Sequence, residues 1–224
     1  IDNYEKHIAE SDAPWFNFIV TMQNHTGYDK NNFSEDELVK FTSENPLSPD
    51  AEGQLADFST GVHISDEELG KLADYFMNQE RPVLLIFFGD HRVNLGTENR
   101  EIYYATNTIN NDMTETEKQY TIHTTPIMAI SNFSDVHEDL NVMAPYMILP
   151  SVFEAYGLDT PVYFDFLNLI REKSTGAHLN MTLDSEGVPM ETVSEDVETL
   201  YKVLNMIQYD YTIGENYIAD EFFK

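Results

Sequence analysis

The apolar positions of this chain fall into short unbroken runs separated by amphipathic stretches. Residues 15–22 (WFNFIVTM), 83–88 (VLLIFF) and 125–131 (TPIMAIS) are rich in aromatic or β-branched side chains and too short for buried helices, so each predicts a buried strand. Between them the apolar spacing becomes helical. Tyr4 and Ile8 mark a helix over 1–11, broken by Pro14. Ser65 with Glu68 three residues on is a capping box, opening a helix to about residue 78 with Leu69, Leu72, Ala73 and Phe76 on one face. Residues 145–156 read as a helix closed by Gly157, 164–173 as another and 193–209 as a last one. Pro46 and Pro49 make 31–49 a surface excursion with a short helix at 35–42, and 97–119 is a polar helix-loop region. Asp184, Ser185, Glu186 and Gly187 centre a hairpin over 180–189. Helices alternating with buried strands predict an α/β fold: a mainly parallel sheet flanked by helices, with a small C-terminal hairpin.

Composition narrows the class. The 224 residues include 42% hydrophobic and 12% aromatic side chains, enough for one sizeable core, and nothing divides the chain into separate domains. A net charge of −28 argues against nucleic acid or an anionic membrane surface as the main partner. A phosphate-bearing substrate would need local positive charge, such as a metal ion. With no cysteine, disulfide and thiolate chemistry are excluded. No run approaches the ~20 apolar residues of a membrane span and no signal peptide opens the chain, so any anchor or export signal is expected outside these residues.

Candidate chemistry lies at two strand ends. Gly89, Asp90 and His91 follow the run 83–88, and a carboxylate beside an imidazole at the carboxyl end of a strand offers two ligands to one divalent metal. The alternative is a capping Asp and a packed His. Gln23, Asn24, His25, Thr26 and Gly27 follow the run 15–22, where His25 and the Asn24 amide could hold phosphoryl or sulfuryl oxygens. The remaining histidines lie in polar or ambiguous surroundings, and Met143, Met147, Met181, Met190 and Met206 read as core filler.

The run Thr21-Met22-Gln23-Asn24-His25 with Tyr28 resembles the T-M-Q-N-H-x-x-Y segment of lipoteichoic acid synthase-like sulfatases and phosphoglycerol transferases, of the alkaline phosphatase superfamily. Phe88-Gly89-Asp90-His91 is similar to their F-G-D-H metal signature, and Thr125-Pro126-Ile127-Met128-Ala129-Ile130-Ser131-Asn132-Phe133 to their T-P-F-x-I-x-S-N-Y strand. The helix from Ser65 to Phe76, residues 163–171 and residues 206–210 resemble further family elements in the same order.

That resemblance implies a sulfatase-like domain of which 1–224 form the C-terminal portion, with the N-terminal part of the fold missing. It makes Asp90 and His91 ligands of a divalent metal, Mn2+ or Mg2+, and His25 and Asn24 contacts of the substrate. The family's threonine nucleophile and upstream acidic ligand have no counterpart here, so no catalytic nucleophile is assigned, the metal site is expected to be incomplete, and this chain is expected to be inactive alone. The implied activity is glycerol-phosphate transfer from a phospholipid to a cell-surface polymer, or sulfatase or phosphodiesterase-type hydrolysis, on the outer face of a bacterial plasma membrane. Implied partners are a phospholipid head group or a phosphate or sulfate ester, and the upstream half of the domain. Self-association through an exposed sheet edge is also expected. The rival reading is a non-catalytic sulfatase-like binding or assembly module.

Overall fold

The computed structural model describes residues 1–224 except 26, 29–31, 44, 96–99, 179–180, 219–221 and 224. Thr26 of the first motif, Gly96 of the loop after His91 and Asn180 at the start of the expected hairpin thus lie outside the described residues. The chain divides into two units, Ile1–Thr114 with Thr121–Ile127, and Glu115–Tyr120 with Met128–Lys224.

In the first unit, α1 (Asp2–Glu10) is held to α2 (Pro49–Met77) by Tyr4, whose buried ring meets Phe76 edge-on at 5.1 Å. Helix α2 starts well before the expected Ser65. The Ser48 hydroxyl accepts from the Ala51 N–H at 3.3 Å, Pro49 suits the first helical position, and Asp50 and Glu52 favour the positive end of the dipole. The Ser65 side chain is therefore available for another contact, described below. Strand β1 (Leu84–Phe88) matches the expected run, and α3 (Glu101–Ala105) follows. Ala51, Leu95 and Ile102 form a small core, with Tyr28, Leu47, Leu55, Phe58 and Val93 packed on it.

Two expectations fail in this unit. Residues 15–22 form no strand, and Phe16, Phe18, Ile19, Val20 and Met22 are 61–77% exposed. Strand propensity yields a strand only where a neighbouring backbone completes the ladder, and no described residue does so here. The short helix at 35–42 is instead a turn: both the N–H and the hydroxyl of Ser34 donate to Glu37 Oε2, the former at 2.9 Å. These bonds hold the Glu37 carboxyl below its usual pKa.

Helix α4 (Glu115–His123) and strand β2 (Ile127–Ser131) contribute residues to both units. In the second unit a 3-10 turn (Pro145–Met147) leads into α5 (Ile148–Ala155), then α6 (Val162–Arg171), β3 (Gly176–His178), β4 (Met181–Leu183) and α7 (Glu195–Thr212). Gly157, at φ +63°, ends α5 as expected. Met147, Leu167, Ile170 and Leu204 form the core, at most 3% exposed.

Among the described residues the sheets are small: β1 neighbours β2 in one two-stranded sheet, and β3 and β4 form a second. Strand β3 pairs antiparallel with β4, Gly176 opposite Leu183 and His178 opposite Met181. The expected turn follows β4: Asp184 Oδ1 accepts the N–H groups of Glu186 and Val188 at 2.9 Å, Gly187 sits at φ +78°, and Leu183 bridges to Pro189. Connections this short join only antiparallel neighbours. The α/β class and the small C-terminal hairpin stand.

Candidate functional site

Asp90 and His91 leave the end of β1 at a backbone position with little room. Gly89 donates its N–H to the Pro126 carbonyl at 3.0 Å and accepts the Thr125 hydroxyl at 2.6 Å. A Cβ on Gly89 would stand 3.0 Å from Thr125 Cβ, which favours glycine there. The carboxylate is folded back on its own chain, with Asp90 Oδ1 accepting the His91 N–H at 2.8 Å. His91 Nδ1 lies 3.1 Å from the Arg92 carbonyl, an acceptor only, so Nδ1 carries the proton of the neutral ring. That leaves the Nε2 lone pair 3.6 Å from Asp90 Oδ2. Two lone-pair donors side by side, both largely exposed, are what a shared cation or proton would relieve. Arg92 Nε donates to the Thr124 carbonyl at 2.8 Å, keeping a guanidinium charge next to this pair.

The second motif is moored along one stripe of α2. Asp57, Gly61 and Ser65 recur every four residues, so they share a helix face. Ser65 Oγ accepts the side-chain amides of Asn24 at 2.8 Å and Gln23 at 3.1 Å. Asn24 Oδ1 sits over Gly61, where a Cβ would lie 2.5 Å away. Buried Asp57 takes the Asn32 amide on Oδ2 at 2.6 Å, and the same amide reaches the Gly27 carbonyl at 3.0 Å. The Tyr28 hydroxyl closes the loop on the Asn24 carbonyl at 2.5 Å. Burial, with the negative charge of Asp57 nearby, pushes the Tyr28 phenol up, so it stays a donor. Half-buried Asn24 thus uses its amide to fix the loop, while His25 is exposed at its tip, its N–H donated to the Met22 carbonyl at 3.1 Å.

The two motifs approach each other through Phe18 and Phe88, whose rings lie 6.5 Å apart. Among the described residues no group of three or more His, Cys, Asp or Glu side chains could hold one ion, and Asp90 with His91 is a pair. Sequence reasoning missed Asp57, Gly61 and Ser65. Their spacing of four was visible, but its purpose depends on a loop folding over it.

The sulfatase family model matches residues 1–158. A Rhizobium meliloti (strain 1021) protein whose name refers to cyclic beta-1,2-glucan modification is 24% identical over 218 residues, 96% of this chain and 34% of that protein. The fold is similar to that of Streptococcus pyogenes phosphoglycerol transferase GacH, solved in complex with sn-glycerol-1-phosphate. The TM-score is 0.66 at 18% identity, covering 92% of this chain and 46% of that one. The chain therefore spans between a third and a half of these relatives' lengths.

Proposed function

Because this chain belongs to the sulfatase family, we propose that it carries the Asp-His part of a divalent-metal centre that transfers a phosphoglycerol group from a lipid to a saccharide-bearing polymer. The observation that carries this reading is the convergence of Asp90 Oδ2 and His91 Nε2, with His91 held in the tautomer that presents a lone pair. A bound Mn2+ or Mg2+ would neutralise charge on the phosphoryl oxygens and acidify a nucleophile. Asp90 and His91 would hold it through a carboxylate oxygen and Nε2, and His25 at the tip of the moored loop would offer an imidazole to the ester oxygens. Arg92 adds positive charge beside an otherwise acidic protein. The phosphate-ester substrate is supported by the glycerol phosphate bound to GacH, and the saccharide acceptor by the name of the Rhizobium relative.

In this reading the nucleophile and the remaining metal ligands come from polypeptide other than these residues, as does any anchor to the outer face of a membrane. No helix among the described residues is long and apolar enough to cross one. Residues 1–224 alone are expected to bind metal weakly and to turn nothing over.

The test is Mn2+ titration followed by paramagnetic broadening of the histidine ring resonances. Selective broadening of His91 at low metal, abolished in Asp90→Ala, is the expected result. Broadening spread evenly over the acidic surface and unchanged by Asp90→Ala would sink the metal reading and favour a non-catalytic module.

A further inference from the structure

The two motif loops share one small core. Tyr28, from the loop that presents His25, and Val93, which follows His91 along the chain, both pack on Ala51, Leu95 and Ile102. Leu95 belongs to the same run as His91 and is 3% exposed, while Ala51 comes from α2 and Ile102 from α3. One cluster therefore takes side chains from both loops and from two helices.

Two tyrosines reach from this region to the backbone of the loops. The Tyr28 hydroxyl donates at 2.5 Å to the carbonyl of Asn24, the residue before His25. The Tyr103 hydroxyl, on α3 beside Ile102, donates to the Val93 carbonyl. The Tyr28 ring meets Phe58 edge-on at 5.5 Å, and Tyr103 is buried. Burial pushes both phenols above their ordinary 10.0, and the nearness of Tyr103 adds to the rise at Tyr28, so both remain donors.

Packing alone does not call for these hydroxyls. Leu55 and Phe58 fill the same core without one. A tyrosine serves where a ring is buried and its tip must meet a polar group, and here each tip meets a carbonyl close in sequence to one motif histidine. Close-packed interiors hold little free volume, so a loop that shifts against this cluster displaces its neighbours rather than an empty space.

We infer that Tyr28 and Tyr103 are positioning residues that lock the His25 loop to the run carrying Asp90 and His91, so that the two motifs keep one spacing. The use of that spacing rests on the transfer reading above, but the coupling itself does not.

The experiment is two-dimensional NMR of the histidine rings in the full chain, comparing Tyr28→Phe, Tyr103→Phe and Tyr75→Phe with the parent. Each substitution keeps the aromatic ring and removes only a hydroxyl, so the packed volume hardly changes. Tyr75, whose hydroxyl donates to Glu5 at 2.9 Å, is the control and should move neither His25 nor His91. Tyr28→Phe is expected to shift the ring resonances of His91 as well as those of His25. Tyr103→Phe is expected to shift those of His25 as well as those of His91. Should Tyr103→Phe fail to fold, Val93→Ala perturbs the same run from the same core. No shifts, shifts confined to the histidine of the substituted side, or equal shifts from Tyr75→Phe overturn the inference. Reciprocal shifts without selective Mn2+ broadening at His91 keep the coupling and remove the transfer reading; selective broadening with confined shifts does the opposite.

Discussion

At the scale of single residues, the loop that presents His25 depends on a glycine in the middle of a helix. Replacing an interior helical glycine by alanine ordinarily stabilises by about 0.5–1 kcal/mol, because the unfolded chain loses freedom. Gly70 of α2 is exposed and a Cβ there would meet nothing within 4 Å, so Gly70→Ala should gain that amount in urea denaturation. Gly61 lies in the same helix, but its Cβ would strike Asn24 Oδ1. Gly61→Ala should therefore lose about 1–3 kcal/mol and displace the His25 resonances, since the Asn24 bond to Ser65 must shift. Equal stabilisation by both substitutions would show that the loop is not seated on α2. Asp90 and His91 were legible in the sequence because their geometry is local, set by a strand end and the next carbonyl. The mooring stripe of Asp57, Gly61 and Ser65 was not, since a helix face acquires meaning only from what lands on it.

At the scale of elements, α3 is five residues long and owes its place to packing rather than to helix propensity. Burial pushes the Tyr103 phenol above its ordinary 10.0, against the pull of the Arg92 and Arg100 guanidinium charges. The sign follows: an unfolded tyrosine ionises first, so this stabilisation is complete below pH 10 and is lost as pH rises through the higher folded value. Tyr103→Phe should be less stable than the parent at pH 8 for want of the bond to Val93, yet should lose less of its remaining stability between pH 9 and pH 11. Thermal melts across that range check it, and parallel losses in the two proteins would show that Tyr103 does not report on α3. Elements with their own local signals were readable: β1, β2, α6, α7 and the α5 stop at Gly157 lie close to where patterning puts them. The start of α2 was not, because Ser65 and Glu68 mimic a cap inside a continuous helix while Ser48 and Pro49 provide the real one. Residues 15–22 carry a strand's composition without a strand partner among the described residues, and composition cannot supply the partner.

At the scale of the whole molecule, charge and exposed apolar surface oppose each other. The 40 acidic and 12 basic residues leave −28, so two copies repel at long range. The exposed run through Phe16, Phe18, Ile19, Val20 and Met22 is attractive only at contact, by burial of apolar area. Salt separates the two effects. Raising ionic strength from 0.01 M to 1 M shortens the screening length from about 30 Å to about 3 Å, which removes the repulsion and leaves apolar contact intact. Sedimentation velocity should accordingly find less association in 10 mM NaCl than in 500 mM NaCl at equal protein concentration. The double substitution Phe18→Lys and Val20→Lys should suppress the salt-induced species, because it places charge within the run while changing the net charge by only two of 28. If the parent associates equally at both salts, repulsion is not what limits self-contact. If the double variant still associates at high salt, the contact lies on another surface, such as the exposed Tyr209, Tyr211 and Ile213 near the end of α7.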